Sequence, residues 1–290
     1  MCVCLNSECE GAAMSDVYHW SFGDNSMFEE TIFPMGFSAP QSTLPTGPFD
    51  PASNWENRYD VIYTGPQGFS DVGKYVYGSL HLKADFNAEN VRMEIESVRQ
   101  TGQNFTHERA FTKTAYTCQR DDLFSLQPES HWMVQTELKN IKTPEAAPYN
   151  KYQLKGSYNK NGIYKKGTQG KSYVYRSTSP DVSVVPNWSV LAAVQNLPRD
   201  QTTTFDYFED LERLLPGHSI KSIGDFEARF GGRSVHLHGY AQKGHGLLPT
   251  FYWVNDVGRL VIVRYGMYLL IYNSNPIIDS QPAKAWKETV

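Results

Sequence analysis

The sequence predicts a mainly β protein: a curled antiparallel sheet or open β-barrel, with two short helices inserted late in the chain. A β-sandwich is the alternative. Three observations predict this class. Residues 75–96 alternate apolar and polar with a period of two. Similar short runs, punctuated by Asn, Gly and Pro, recur along most of the 290 residues. Helical spacing shows only between 187 and 215. A long antiparallel sheet must hide its apolar face, and curling does so with few elements. Wide antiparallel barrels also leave room for a ligand.

Residues 15–55 carry Gly23, Pro34, Gly36, Pro40, Pro45, Gly47, Pro48 and Pro51 among Trp20, Phe22, Phe28, Phe33 and Phe37. That mixture reads as an irregular segment packed onto a sheet. Tyr59 to Tyr63 is a short apolar strand. Leu80, Leu82, Ala84 and Phe86 then alternate with Ser79, His81, Lys83 and Asp85, and Val91, Met93 and Ile95 with Arg92, Glu94 and Glu96. With 87–90 as the turn, this is a hairpin with one buried face. Further strands are expected at 105–117, 131–140, 151–158, 162–166 and 172–177. Asn159 to Gly162 is a hairpin turn, since Asn-Gly accepts positive φ.

Asn187 is expected to cap a helix that Pro198 closes, with Trp188, Leu191, Ala192 and Gln195 on one stripe. Thr203 or Thr204 is expected to cap a second helix over 205–215. There Phe205, Phe208, Leu211 and Leu215 recur at helical spacing, and Pro216-Gly217 ends it. The sheet resumes at 220–230, 234–242 and 249–254, and at 259–272 as one or two strands. The domain reading is a flexible extension at 1–14, one β-rich domain at 15–275 and a tail at 276–290.

A net charge of −4 offers no basic footprint for nucleic acid. The longest apolar run, Leu260 to Tyr272, is broken by Arg264 and Gly266 and is no membrane span. The N-terminus shows no secretory signal, which implies a cytoplasmic protein if the chain starts as given and a secreted one if a leader preceded it. Cys2, Cys4 and Cys9 crowd the first ten residues and read as a reduced tail, while Cys118 stands alone. Gly-x-Ser-x-Gly, a phosphate-cradling loop and a dinucleotide fingerprint are all missing from the sequence.

Chemistry concentrates between Ser234 and Trp253, where three of the eight histidines fall within ten residues. On a strand, His236, His238, Tyr240 and Gln242 share one face, opposite Val235, Leu237, Gly239 and Ala241. Two imidazoles so placed can reach one divalent metal, so His236 and His238 are the metal-ligand candidates. A catalytic site needs a third ligand, for which Asp225, Glu227 and His245 are near in sequence. Without a metal, the same face suits proton transfer. The catalytic candidates are His236, His238, Tyr240, His245 and Arg259. Gln242, Tyr252, Trp253 and Trp188 are the ligand-binding candidates. Lys243-Gly-His-Gly246 is a glycine-flanked loop able to approach a ligand closely.

Asn187-Trp-Ser-Val-Leu-Ala-Ala-Val-Gln-Asn-Leu-Pro198 and the stretch from Gly244 to Leu260 resemble a loosely defined set of uncharacterised, β-rich bacterial proteins associated with carbohydrate oxidation and breakdown. The resemblance covers the C-terminal third. It implies a sugar-related role and transfers no catalytic residue. In layout alone, the chain is similar to the open half-barrels of lipoprotein carriers. The expected function is therefore a lyase-like or hydrolytic enzyme acting on a carbohydrate or similar small molecule in a His/Tyr-lined pocket. The alternatives are a non-catalytic carrier of an apolar ligand such as a lipid or terpenoid, and an interaction module. An enzyme predicts His, Tyr, Arg and acids converging in the concavity. A carrier predicts an apolar concavity with the histidines elsewhere.

Overall fold

A computed structural model describes residues 44, 47–63, 76–101, 108–140, 150–167, 172–175, 182–230 and 233–274. The expectations for Cys2, Cys4, Cys9 and both terminal segments fall outside them. Fifteen strands form one sheet. They are β1 (Trp55–Tyr63), β2 (Val76–Phe86), β3 (Asn90–Gln100), β4 (Glu108–Gln119), β5 (His131–Asn140), β6 (Asn150–Asn159), β7 (Gly162–Gly167), β8 (Ser172–Tyr175), β9 (Val184–Pro186), β10 (Thr202–Glu209), β11 (Arg213–Phe230), β12 (Arg233–Lys243), β13 (Thr250–Asn255), β14 (Leu260–Tyr265) and β15 (Tyr268–Tyr272). One helix, α1 (Asn187–Ala193), follows β9.

The chain enters mid-sheet. β1 to β8 step outward to one edge, the chain crosses to β9 at the other edge, and β10 to β15 step back until β15 pairs with β1. Every neighbour is antiparallel except β9 with β10. The sheet is not closed by strand pairing, but it curls until its halves touch. Trp132 on β5 meets Phe208 on β10 edge-on at 5.5 Å. Tyr116 and Cys118 on β4 reach Ser189 of α1 at 3.2 and 3.3 Å. The amide of Leu126, which follows β4, donates to the Val184 carbonyl of edge strand β9 at 2.8 Å. These contacts make the sheet barrel-like rather than a two-layer sandwich.

The helix explains the curl. Ser189 to Ala193 are all buried, and a helix apolar all round belongs inside. The Gln195 side chain beyond it accepts from Asn57 Nδ2 (2.9 Å) and from the Leu260 amide (3.1 Å), tying the helix to β1 and β14. The concave face carries Tyr59, Val61, Leu80, Leu82, Ala84, Met93, Ile95 and Tyr116, each at most 2 % exposed. The Val, Leu, Ile and Met side chains among them each contribute about 1.5–3 kcal/mol when fully buried.

Two expectations need correction. The second helix is absent, and 202–215 is instead a β10–β11 hairpin. Thr202 to Thr204, Phe205, Tyr207 and Phe208 are β-formers, and Phe205 to Phe208 are buried on both faces. Burial on both faces erased the period of two and left spacings that imitate a helix. Asp210 (φ 49°) and Leu211 (φ 56°) turn the chain back, with the Glu212 amide on the Glu209 carbonyl at 2.8 Å. Pro216-Gly217, expected to end that helix, lies within β11. In addition, Asn187 does not cap α1. The residue before the helix is extended Pro186 with no side-chain cap, and Asn187 bonds Asp210 reciprocally at 2.9 and 3.1 Å.

Candidate ligand cavity and histidine face

The strand reading of 234–242 holds, but its surroundings differ from a solvated polar face. Cross-strand register places His238 opposite Val254, Tyr240 opposite Tyr252 and Gln242 opposite Thr250. His238, Tyr240 and Gln242 are buried, and so are Leu237 and Ala241 on the other face. Their polar atoms are used internally. The Tyr240 hydroxyl donates to the Leu197 carbonyl at 2.7 Å. His238 Nδ1 lies 2.5 Å from Asp225 Oδ1, and its Nε2 lies 3.0 Å from Ser222 Oγ. His236 is less buried and pairs with exposed Asp256 at 2.6 Å. The imidazole hydrogen bond from His238, aided by Arg199, holds the Asp225 carboxyl below its usual range. Among the described residues, no group of three or more His, Cys, Asp and Glu side chains comes together as a metal site.

A β-bulge assembles the Ser222–His238–Asp225 chain. Residues three apart on a regular strand face opposite ways. The register shift between Ser222 and Gly224, with Gly224 at φ 101°, brings both Ser222 and Asp225 to the His238 side. No sequence motif announces this chain; Gly224, in the middle of the strand, is its only trace.

The cavity is elsewhere on the concave side. It measures about 530 Å³ and lies among α1 (Asn187, Trp188, Leu191), β10, the β12–β13 loop and β13 to β15. Its apolar wall includes Trp188, Leu191, Leu247, Val263 and Leu270, and Tyr207, Tyr252, Tyr265 and Tyr268 add aromatic faces. Exposed Leu248 and Met267 edge it. Arg99, Glu209 and Asp210 bring charge. Tyr265 and Tyr268 stack at 5.4 Å. Burial pushes the Tyr268 phenol up to about 12 and lifts those of Tyr207, Tyr252 and Tyr265, so all four stay protonated at neutral pH.

One polar chain links the cavity to its loop. The Tyr252 hydroxyl donates to Gln242 Oε1 at 2.5 Å, Gln242 Nε2 donates to His218 Nδ1 at 3.0 Å, and His218 Nε2 bonds the His245 carbonyl at 3.2 Å. This pattern specifies neutral His218 with its proton on Nε2. Burial pushes its pKa down, and the ring stacks on Tyr207 at 4.9 Å. Gly244 is required here, because a Cβ would stand 2.3 Å from the His218 ring. Gly246 turns the loop at φ 85°.

The candidate residues therefore separate. Tyr252 and Trp188 line the cavity. Gln242 and the His245 backbone belong to the chain behind it. His236, His238 and Tyr240 form the separate network. Arg259 is engaged by Asn57 Oδ1 at 2.9 Å and lies over the Phe49 ring at 4.4 Å, outside the cavity lining. Trp253 is buried and stacks on Phe251 at 6.0 Å, also outside that lining. Sequence reasoning missed Arg99, Tyr207, Tyr265 and Tyr268. Arg99 did leave a signal, since it shares strand phase with Val91, Met93 and Ile95, where a charge is out of place.

No family profile and no curated protein matches the chain. Among solved structures, it is similar to a β-barrel-like protein of the domain of unknown function DUF1849 from Brucella abortus. That match has 9 % identity and a TM-score of 0.45, covering 77 % of this chain and 95 % of that one. It is also similar to a DUF1089 family protein from Pseudomonas aeruginosa, at 13 % identity and a TM-score of 0.31, covering 78 % and 97 %. No described helix is long and apolar enough to cross a membrane.

Proposed function

We propose that this protein binds a small, largely apolar molecule inside its curled sheet. One observation carries the reading: the 530 Å³ cavity is walled by Trp188, Leu191, Leu247, Val263, Leu270 and four tyrosines, while His236 and His238 lie outside its lining. That size is typical of small-molecule sites, and apolar walls with a few polar groups are their usual make-up. Tyrosine and tryptophan present large flat faces with little entropy to lose. Nile red, neutral and fluorescent only when desolvated, provides the test. The wild type is expected to take up about one dye per chain, and Val263→Trp to weaken uptake by at least about tenfold by filling the space. A wild type that takes up no dye would overturn the reading.

A second reading rests on the Ser222–His238–Asp225 chain. Its distances suit an imidazole oriented by a carboxylate and acting on a hydroxyl, the arrangement needed for hydrolysis through a serine nucleophile. It is the form in which the expected hydrolytic chemistry on a sugar-like ester would operate. Asp225 is the exposed end and His238 the buried one, the reverse of a sheltered carboxylate. A fluorophosphonate probe should modify Ser222, as mapped by mass spectrometry, and His238→Ala should abolish that modification. An unmodified Ser222 removes this reading.

A further inference from the structure

Arg99 is the cationic member of the cavity lining. Its Nη2 lies 3.5 Å from the Tyr265 hydroxyl, at the long limit of a hydrogen bond. Its Nε is sealed from solvent and has no partner. Among the described residues, no carboxylate forms an ion pair with it. The two carboxylates on the wall are otherwise engaged. Glu209 pairs with Arg213 at 2.7 Å, and Asp210 accepts from Asn187 at 2.9 Å. A guanidinium carries five donors and cannot shed its charge; Asp210 attracts this one without an ion-pair contact, so most of its donors stay unspent. Tyr265 extends the same offer: its oxygen accepts from Arg99, which leaves its proton free to donate. Beside it, the Tyr207 hydroxyl has no hydrogen-bond partner among the described residues.

From this the geometry points to an anionic ligand: an apolar or aromatic body seated against Trp188, Leu191, Val263 and Leu270, with a carboxylate held by Arg99 and the Tyr265 hydroxyl. The inference rests on the cavity being the binding site. The carboxylate supplies at contact the counter-charge that Asp210 gives only from a distance, and it accepts planar N–H donors in pairs, which a neutral amide does only weakly.

The test uses the full chain and the quenching of Trp188 fluorescence, with Trp188→Phe as the blank. The probes share one body: naphthalene-acetate, its neutral carboxamide and naphthylmethylammonium. Wild type is expected to bind the carboxylate at least about tenfold more tightly than the amide, and the ammonium least. Arg99→Gln should reduce that preference to within about twofold, chiefly by weakening the carboxylate. Asp210→Asn removes a charge that attracts Arg99 and would repel the ligand, and should tighten the carboxylate by about threefold. Equal binding of carboxylate and amide, or an ammonium preference, overturns the anion inference and leaves the cavity reading intact. The preference surviving in Arg99→Gln, or an unchanged carboxylate affinity in Asp210→Asn, overturns the assignment to Arg99. If none of the three probes and no Nile red binds, the cavity reading falls as well.

Discussion

Two regions on the concave side of one sheet answer differently to the same residue types. On β11 and β12, Ser222, Asp225, His236, His238 and Tyr240 gather more reactive groups than any other part of the strand framework, yet they satisfy one another. His238 is held at both nitrogens, and the Tyr240 hydroxyl is spent on the Leu197 carbonyl. Across β3, β10 and β14, the cavity has fewer such groups, but they retain capacity. Among the described residues, Arg99 has no ion-pair contact and gives Tyr265 a hydrogen bond at the 3.5 Å limit. A buried polar group without a partner is expensive, so it persists where a ligand or solvent completes it. The difference is that one region spends its reactive groups on one another, while the other keeps hydrogen-bonding capacity beside a cavity.

The largest effect is expected behind the cavity. Gly244→Val forces a Cβ into the His218 ring, which connects Gln242 and Tyr252 to the loop beside the cavity. The expected loss is about 1–3 kcal/mol in urea denaturation, from overpacking, accompanied by weaker Nile red uptake. Unchanged stability would show that the ring moves freely and that the linkage is not structural. A smaller effect is expected at the histidine face. Tyr240→Phe leaves the Leu197 carbonyl without its donor and should cost about 1 kcal/mol. Nile red affinity should stay within about twofold, because Tyr240 lies outside the cavity lining. A large drop in dye binding would merge the two regions into one site.

The smallest effect is one of pH. Burial lowers the His218 pKa below its ordinary 6.5, so the unfolded chain binds this proton more readily than the folded one. The stabilising difference is fully present above pH 6.5 and is lost as the pH falls toward the folded value. Protonating Nδ1 also sets two donors face to face with Gln242 Nε2. Asp206 attracts and His245 repels that charge, the two nearest influences besides the backbone. Melting temperature should therefore decline between pH 7.5 and 5, and His218→Phe, which keeps the stack on Tyr207, should flatten that decline. An identical pH profile in the variant would mean that His218 does not titrate differently on folding.

The pairing of 76–86 with 90–100 was readable because one face there is buried and the other carries His81, Lys83, Glu94 and Glu96; alternation records that asymmetry. The same rule failed at 202–215, where both faces are covered and aromatic spacing imitated a helix. Of the candidate site residues, Trp188 and Tyr252 do line the cavity. Arg259 and Trp253 were plausible by type only, and long-range neighbours gave them packing roles with Phe49 and Phe251. Ser222 was illegible because a bulge changed its side of the strand.

By itself, then, the sequence determined what local physical chemistry controls: strand phase, the hairpin turns at 87–90 and 159–162, and a helix beginning after Pro186. Tertiary structure alone decided the curl, the burial of α1 within it, and which polar groups met partners. Those outcomes depend on side chains more than a hundred residues apart, such as Asn57 and Gln195 or Arg99 and Tyr265. No local pattern encodes whether such a pair closes a network or leaves donors unspent.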